Sequence, residues 1–173
     1  MIKKKLIILL FGFSLWFSSW QSVQAVQQKS LEKSYYNLGY KSVSDAKKEA
    51  ESYFKTKLNL PQKLPPLTFT HSFGRFIGNN NINDGLEVEY LNDGKHFNYI
   101  INVRPLKNKI KLPLSSKINL KDGKQADYYT IREGQKKLIV FNFDKNGWNY
   151  TLSIQEKLLD NALSTLVKIA ESV

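Results

Sequence analysis

The sequence predicts an α+β domain in which one twisted, mostly antiparallel meander sheet carries two amphipathic helices packed on its apolar face. Three observations point there. Apolar residues recur at steps of three and four over 43–58, period-two runs separated by turn residues fill the middle of the chain, and a second stripe at helical spacing occupies the C-terminal segment. Helices flanking a block of strands, rather than alternating with them, are the α+β pattern.

The elements follow in order. Residues 1–25 read as a signal peptide: Lys3, Lys4 and Lys5 precede an apolar run from Leu6 to Phe17, short of the ~20 residues a membrane-crossing helix takes. Val23-Gln24-Ala25 supplies small residues at minus three and minus one, so cleavage is expected between Ala25 and Val26. The alternative is an uncleaved anchor extended through Trp20 and Val23, which would make the protein a membrane-tethered sensory domain. Residues 26–41 are polar with scattered tyrosines and no sustained period, a mobile leader or loosely docked lead-in. A single domain over 42–173 follows.

Within it, Val43, Ala46, Ala50, Phe54 and Leu58 make a helix over 43–58, with Ser42 or Ser44 as N-cap and Asp45 near the positive end of the dipole. Pro61, Pro65 and Pro66 stop it, and Leu67 to Phe73 is an extended piece. Leu86, Val88 and Tyr90 pair across Asn92-Asp93-Gly94 with Phe97, Tyr99, Ile101 and Val103. Asp122-Gly123 reverses Lys117–Leu120 into Gln125–Ile131. Leu138–Phe143 is apolar on both faces and so central, and Asp144-Lys145-Asn146-Gly147 turns it into Trp148–Ile154. In this last strand Trp148, Tyr150, Leu152 and Ile154 face the core while Asn149, Thr151 and Ser153 face a wet side. Leu159, Ala162, Leu163, Leu166, Val167 and Ala170 form the covering helix, with Asp160 as N-cap.

Composition removes whole chemistries. The 173 residues contain no cysteine, which excludes disulfides, thiol catalysis, cysteine-ligated metals and a lipid-modified cysteine. No phosphate-cradling GxxxxGK[ST] or GxGxxG occurs, and no Gly-x-Ser-x-Gly elbow. His71 and His96 stand too far apart in sequence to make a metal motif, and no cofactor is expected. Glu87 and Glu89 share one side of a strand at roughly 7 Å, inside the about 5 to 9.5 Å used by glycosidase carboxylates. Strand geometry alone produces the same pair, and the wall hydrolase it suggests is the distant reading.

Charge is the strongest positive feature. Lys+Arg total 26 against 15 Asp+Glu, a formal +11 that falls by the three leader lysines to +8 after cleavage. Such an excess favours anionic partners, and export disfavours nucleic acid among them. Lys107, Lys109, Lys111 and Lys117, interleaved with Ile110, Leu112, Pro113 and Leu114, are the candidate contacts to an anionic membrane or wall polymer. The same pattern suits an edge strand or long loop in which Lys discourages edge-to-edge pairing. Tyr35, Tyr36 and Tyr40 are either stacking platforms for a sugar or lipid or packing residues, and Trp148 reads as core.

Lys137–Phe143, the run Asn146-Gly147-Trp148-Asn149-Tyr150-Thr151-Leu152 and the helix end Leu166–Ser172, with Asp45-Ala46 and Pro61 upstream, resemble the domain of unknown function numbered 4367. That family comprises uncharacterised extracytoplasmic domains of Gram-positive bacteria. The resemblance, over 42–173, implies a secreted or cell-envelope location and a non-enzymatic role in contacting a ligand or partner protein, and it transfers no catalytic residue. The intact mass of the exported protein is expected to correspond to a start at Val26; a full-length chain in the membrane fraction would instead mean a retained anchor.

Overall fold

The computed structural model describes residues 30–79, 81–112 and 114–173. The signal-peptide reading, the cleavage point at Ala25–Val26 and Pro113 lie outside those residues. The chain divides into two units at Gly39–Tyr40. In the first, 30–37 is helical although the sequence showed no helical period there. It ends where Gly39 adopts φ 84° and donates its N–H to the Tyr36 carbonyl at 3.0 Å, a left-handed cap that glycine accepts readily.

The second unit, Tyr40–Val173, contains helix α1 (Val43–Phe54), strands β1 (His71–Ile77), β2 (Gly85–Asn92) and β3 (Phe97–Pro105), then β4 (Ser116–Asn119), β5 (Gln125–Glu133), β6 (Lys136–Lys145) and β7 (Trp148–Gln155), and helix α2 (Ala162–Ala170). All seven strands form one antiparallel sheet in the order β1-β2-β3-β7-β6-β5-β4. Two meanders, β1–β3 and β4–β7, are therefore joined where β7 lies beside β3. This is the expected α+β architecture, with one non-sequential neighbour pair. The β6–β7 hairpin closes on Asn146 (φ 50°) and Gly147 (φ 85°), the two positive-φ positions that suit the twist of paired strands.

The core face of the sheet carries Leu86 and Val88, Tyr99, Ile101 and Val103, Phe141 and Phe143, and Tyr150, Leu152 and Ile154, all buried. Both helices contribute to this one core, α1 through Ala46 and Ala50 and α2 through Ala162, Leu166, Ile169 and Ala170. Burying each large apolar side chain stabilises the fold by roughly 1.5–3 kcal/mol. Small residues decide how close α1 comes. A Cβ on Gly74 of β1 would stand 2.7 Å from the Ala46 Cβ and 2.9 Å from the Val43 Cα, so only glycine permits this approach.

The domain begins two residues earlier than residue 42. Lys41 exchanges backbone hydrogen bonds with Gly74 at 2.8 and 2.9 Å, and this short bridge leads directly into the Ser42 cap, whose Oγ accepts the Asp45 N–H at 3.1 Å. Helix α1 stops at Phe54, four residues before the expected Leu58, because Lys55 turns left-handed at φ 54°. Leu58 is nonetheless fully buried. The returning chain is held by its backbone: Glu51 accepts the Leu58 N–H at 2.8 Å, Trp148 Nε1 donates to the Lys57 carbonyl at 3.0 Å, and the Tyr150 hydroxyl donates to the Asn59 carbonyl at 2.8 Å. Each such bond is worth about 1 kcal/mol net.

Other boundaries also differ from expectation. The extended piece expected at Leu67–Phe73 becomes strand β1 only from His71. His96 sits in the β2–β3 turn at φ 51°. The N-cap of α2 is Asn161, whose side chain accepts the Ser164 N–H at 3.0 Å, in place of Asp160. Leu159 lies before the helix, after a 3-10 turn over Glu156–Leu158. Among the described residues no helix is long and apolar enough to cross a membrane.

The face opposite the core is polar yet largely closed. Asn142 and Asn149 are each 1 % exposed, against the wet side expected for Asn149. Their amides satisfy one another, at 2.8 and 3.2 Å, and reach Thr151 Oγ1 at 3.0 Å and Asp144 Oδ1 at 2.8 Å. Unpaired, two buried amides would be costly; paired, they tie β6 to β7 on the side away from the core.

Candidate functional site

Three places hold the residues that could carry chemistry. The first is the polar face near the β1–β2 edge, where Glu87 and Glu89 point the same way as period two requires. Neither is left idle. Arg75 on the facing strand donates to Glu87 Oε1 at 3.0 Å, the Tyr40 hydroxyl donates to the same oxygen, and Asn98 Nδ2 donates to Glu89 at 2.7 Å. The Arg75 guanidinium also lies 4.5 Å from the centre of the Tyr40 ring. Burial, reinforced by the bond to Glu87, pushes the Tyr40 hydroxyl well above its ordinary pKa, so it remains a donor throughout the physiological range. Tyr40 is thus a packing and bonding residue of the domain. Tyr36 lies in the first unit and is half exposed.

His71 stacks on Phe73 with ring centroids 5.9 Å apart and pairs through Nδ1 with Thr70 Oγ1 at 2.8 Å. Among the described residues no three His, Asp or Glu side chains converge as a metal site would require. The core reading of Trp148 agrees with its burial and with its edge-on contact to Phe54 at 5.3 Å.

The second place is the lysine tract. The chain leaves β3 through a 3-10 turn, Leu106–Asn108, and reaches β4 by a loop. Lys107 and Lys111 are exposed and have no ion-pair partner among the described residues. Lys109 pairs with Asp144 at 2.7 Å at the end of β6, which pins the loop across the sheet. Lys117 lies farther on, on the edge strand β4, 3.8 Å from Asp127 on β5. The four lysines therefore do not form one row: two are available, one is a loop anchor and one decorates a sheet edge. Leu106 and Leu114 are exposed beside them, Leu114 completely so.

The third place was not visible in the sequence as a motif. A pocket of about 260 Å³ is lined by Lys63, Lys121, Lys145 and Lys168 with Asp122, Glu171 and Leu120. These residues come from the connection after α1, the β4–β5 turn, the end of β6 and the end of α2, so no spacing links them. In the sequence Asp122 marks a turn with Gly123 and nothing more. Lys145 and Lys109 are both held at the same end of the sheet as the tract, because Asp144 and Lys145 are consecutive and bind Lys109 and Asp122 respectively.

A groove of about 640 Å³ beside α1 is lined in part by Tyr53, Ile82, Asp84 and Lys107. Its carboxylate is already used, since Asp84 accepts from the Tyr53 hydroxyl at 2.8 Å and from the backbone N–H groups of Asn79 and Asn81 at 2.9 and 3.2 Å.

Comparison with protein-family models, with curated proteins and with solved structures found no match.

Glu87→Gln is expected to lower unfolding free energy by about 1–2 kcal/mol in urea, because Arg75 loses its charged acceptor. Cleavage of wall material by the unsubstituted protein that vanishes in Glu87→Gln or Glu89→Gln would instead mark these groups as catalytic.

Proposed function

We propose that this chain is an exported, non-enzymatic domain of a Gram-positive-type cell envelope that contacts an anionic surface through the basic end of its sheet. The observation that carries this reading is the pair Lys107 and Lys111, exposed and without acidic partners among the described residues, flanked by the exposed Leu106 and Leu114. Ammonium groups beside projecting apolar side chains suit a headgroup layer, where each lysine contributes about 1 kcal/mol and salt weakens the attraction. The net charge, +11 for the full sequence and +8 without the three leader lysines, acts in the same direction over a longer range.

Further support comes from what the polar groups already do. Glu87, Glu89 and Asp84 spend their oxygens on internal partners, as structural carboxylates do. The basic and apolar leader over 1–25 supports export, and the resemblance of 42–173 to the extracytoplasmic domain family supports an envelope location. The partner is an anionic membrane or wall polymer, or a protein carrying equivalent charge.

Changing Lys107, Lys109 and Lys111 together to Gln is expected to reduce retention on phosphatidylglycerol vesicles or isolated wall at low salt by about tenfold or more. Because Lys109 is committed to Asp144, Lys107→Gln with Lys111→Gln is expected to account for most of that loss. Unchanged retention of the triple variant overturns the reading.

A further inference from the structure

The lysine-lined pocket at the basic end has a charge balance that the fold itself does not need. Its two acids are fully engaged. Glu171 accepts the Lys121 N–H at 3.2 Å and lies 3.2 Å from Lys121 Nζ; Asp122 binds Lys145 Nζ at 2.9 Å and accepts the Lys124 N–H at 3.2 Å. The Lys145 and Lys124 contacts also hold the Asp122 carboxyl below its usual range, so it stays charged and paired. Lys63 and Lys168 remain. Both are exposed, both line the same pocket, and neither has an ion-pair partner among the described residues. The carbonyl end of α2 is partly satisfied as well, since the Ile169 carbonyl accepts both the Ser172 N–H at 3.0 Å and the Ser172 hydroxyl at 2.7 Å.

Four ammonium groups around about 260 Å³ repel one another, and two carboxylates offset only half of that charge. An arriving phosphate relieves part of the remainder, one charge for a diester and up to two for a monoester. A tetrahedral phosphate points its oxygens in different directions, which suits lysines delivered by four separate segments better than a planar carboxylate does. Leu120, nearly buried, provides an apolar patch for the carbon attached to an ester oxygen.

We propose that this pocket is a phosphate-binding site, with Lys63 and Lys168 supplying the free charge and Lys121 and Lys145 held in place by Glu171 and Asp122. The group it takes is a phosphate ester, carried by a lipid headgroup or by a phosphate-containing polymer. The inference deepens the proposed contact with an anionic surface and rests on that reading only for the source of the ligand.

The test uses the full exported chain and glycerol 3-phosphate as probe at low salt, followed by backbone amide shifts. Saturable binding is expected, with the largest shifts at Lys121 and Lys124 in the β4–β5 turn. Lys63→Gln with Lys168→Gln, both on exposed side chains, is expected to weaken it about tenfold while leaving thermal unfolding unchanged. Lys107→Gln with Lys111→Gln is expected to bind the probe as the parent does. Shifts that do not saturate, or equal binding by the Lys63/Lys168 variant, overturn the site. If that variant loses retention on phosphatidylglycerol vesicles the source is lipid; if on isolated wall, polymer; a variant retained as fully as a parent that does bind these surfaces overturns the proposal. Loss of vesicle retention in the Lys107/Lys111 variant without any probe binding would remove the pocket and leave the functional reading standing. Probe binding at Lys63 and Lys168 with no retention on either surface by the parent protein would do the reverse.

Discussion

The pairing of β3 with β7 is the contact on which this fold depends. Seven residue pairs, from Tyr99–Ile154 to Pro105–Trp148, join two meanders into one sheet, and their core-facing members Tyr99, Ile101, Val103, Tyr150, Leu152 and Ile154 are all buried. Helix α1 packs mainly over β1 and α2 over β6, and the shared core runs continuously from one helix to the other only across this seam. A central antiparallel pair with both neighbours present also leaves no unpaired backbone groups in the middle of the sheet.

That pairing dictates where the charge goes. Since β7 occupies the position beside β3, the chain leaving β3 must travel past β7, β6 and β5 to reach β4. Four inter-strand spacings of ~4.8 Å make this about 19 Å across the sheet. β3 and β4 point the same way, so the connection must also run back along the sheet to reach the start of β4, and Lys109, bonded to Asp144 on the polar face, marks its path. Lys109 ties the crossing to Asp144, and the next residue, Lys145, ties β6 to Asp122 in the β4–β5 turn. The same end then gathers Lys63 and Lys168 from the segments that pack against the core. The carboxylate of Glu87 lies within the sheet, where Arg75 and Tyr40 already reach it.

Much of the architecture was legible because its determinants are local. Asn146-Gly147 and Asp122-Gly123 mark hairpins through backbone conformations that few residues adopt, and Ser42 with Asp45 marks a helix start through orphan N–H groups. Features that failed to show in the sequence are those decided by tertiary contact. Leu58 continues the helical period yet lies beyond the helix, since Trp148 and Tyr150 hold the backbone of residues 57 and 59 in a non-helical path. Asn161 rather than Asp160 caps α2, its side chain accepting the Ser164 N–H after the 3-10 turn over Glu156–Leu158. The lysine tract was visible, but its division into free, anchoring and edge residues was not, as Asp144 and Asp127 come from other strands. The phosphate pocket had no linear signature at all, being assembled from four segments.

Hydrogen exchange on the full chain tests the seam most directly. If β3–β7 pairing makes the two meanders one cooperative body, the slowest amides, those of Ile101 and Leu152 among them, exchange together through global unfolding, and their free energy of opening matches that from denaturant melts. Exchange of β4–β7 through a separate, lower-energy opening while β1–β3 stay protected would contradict the account.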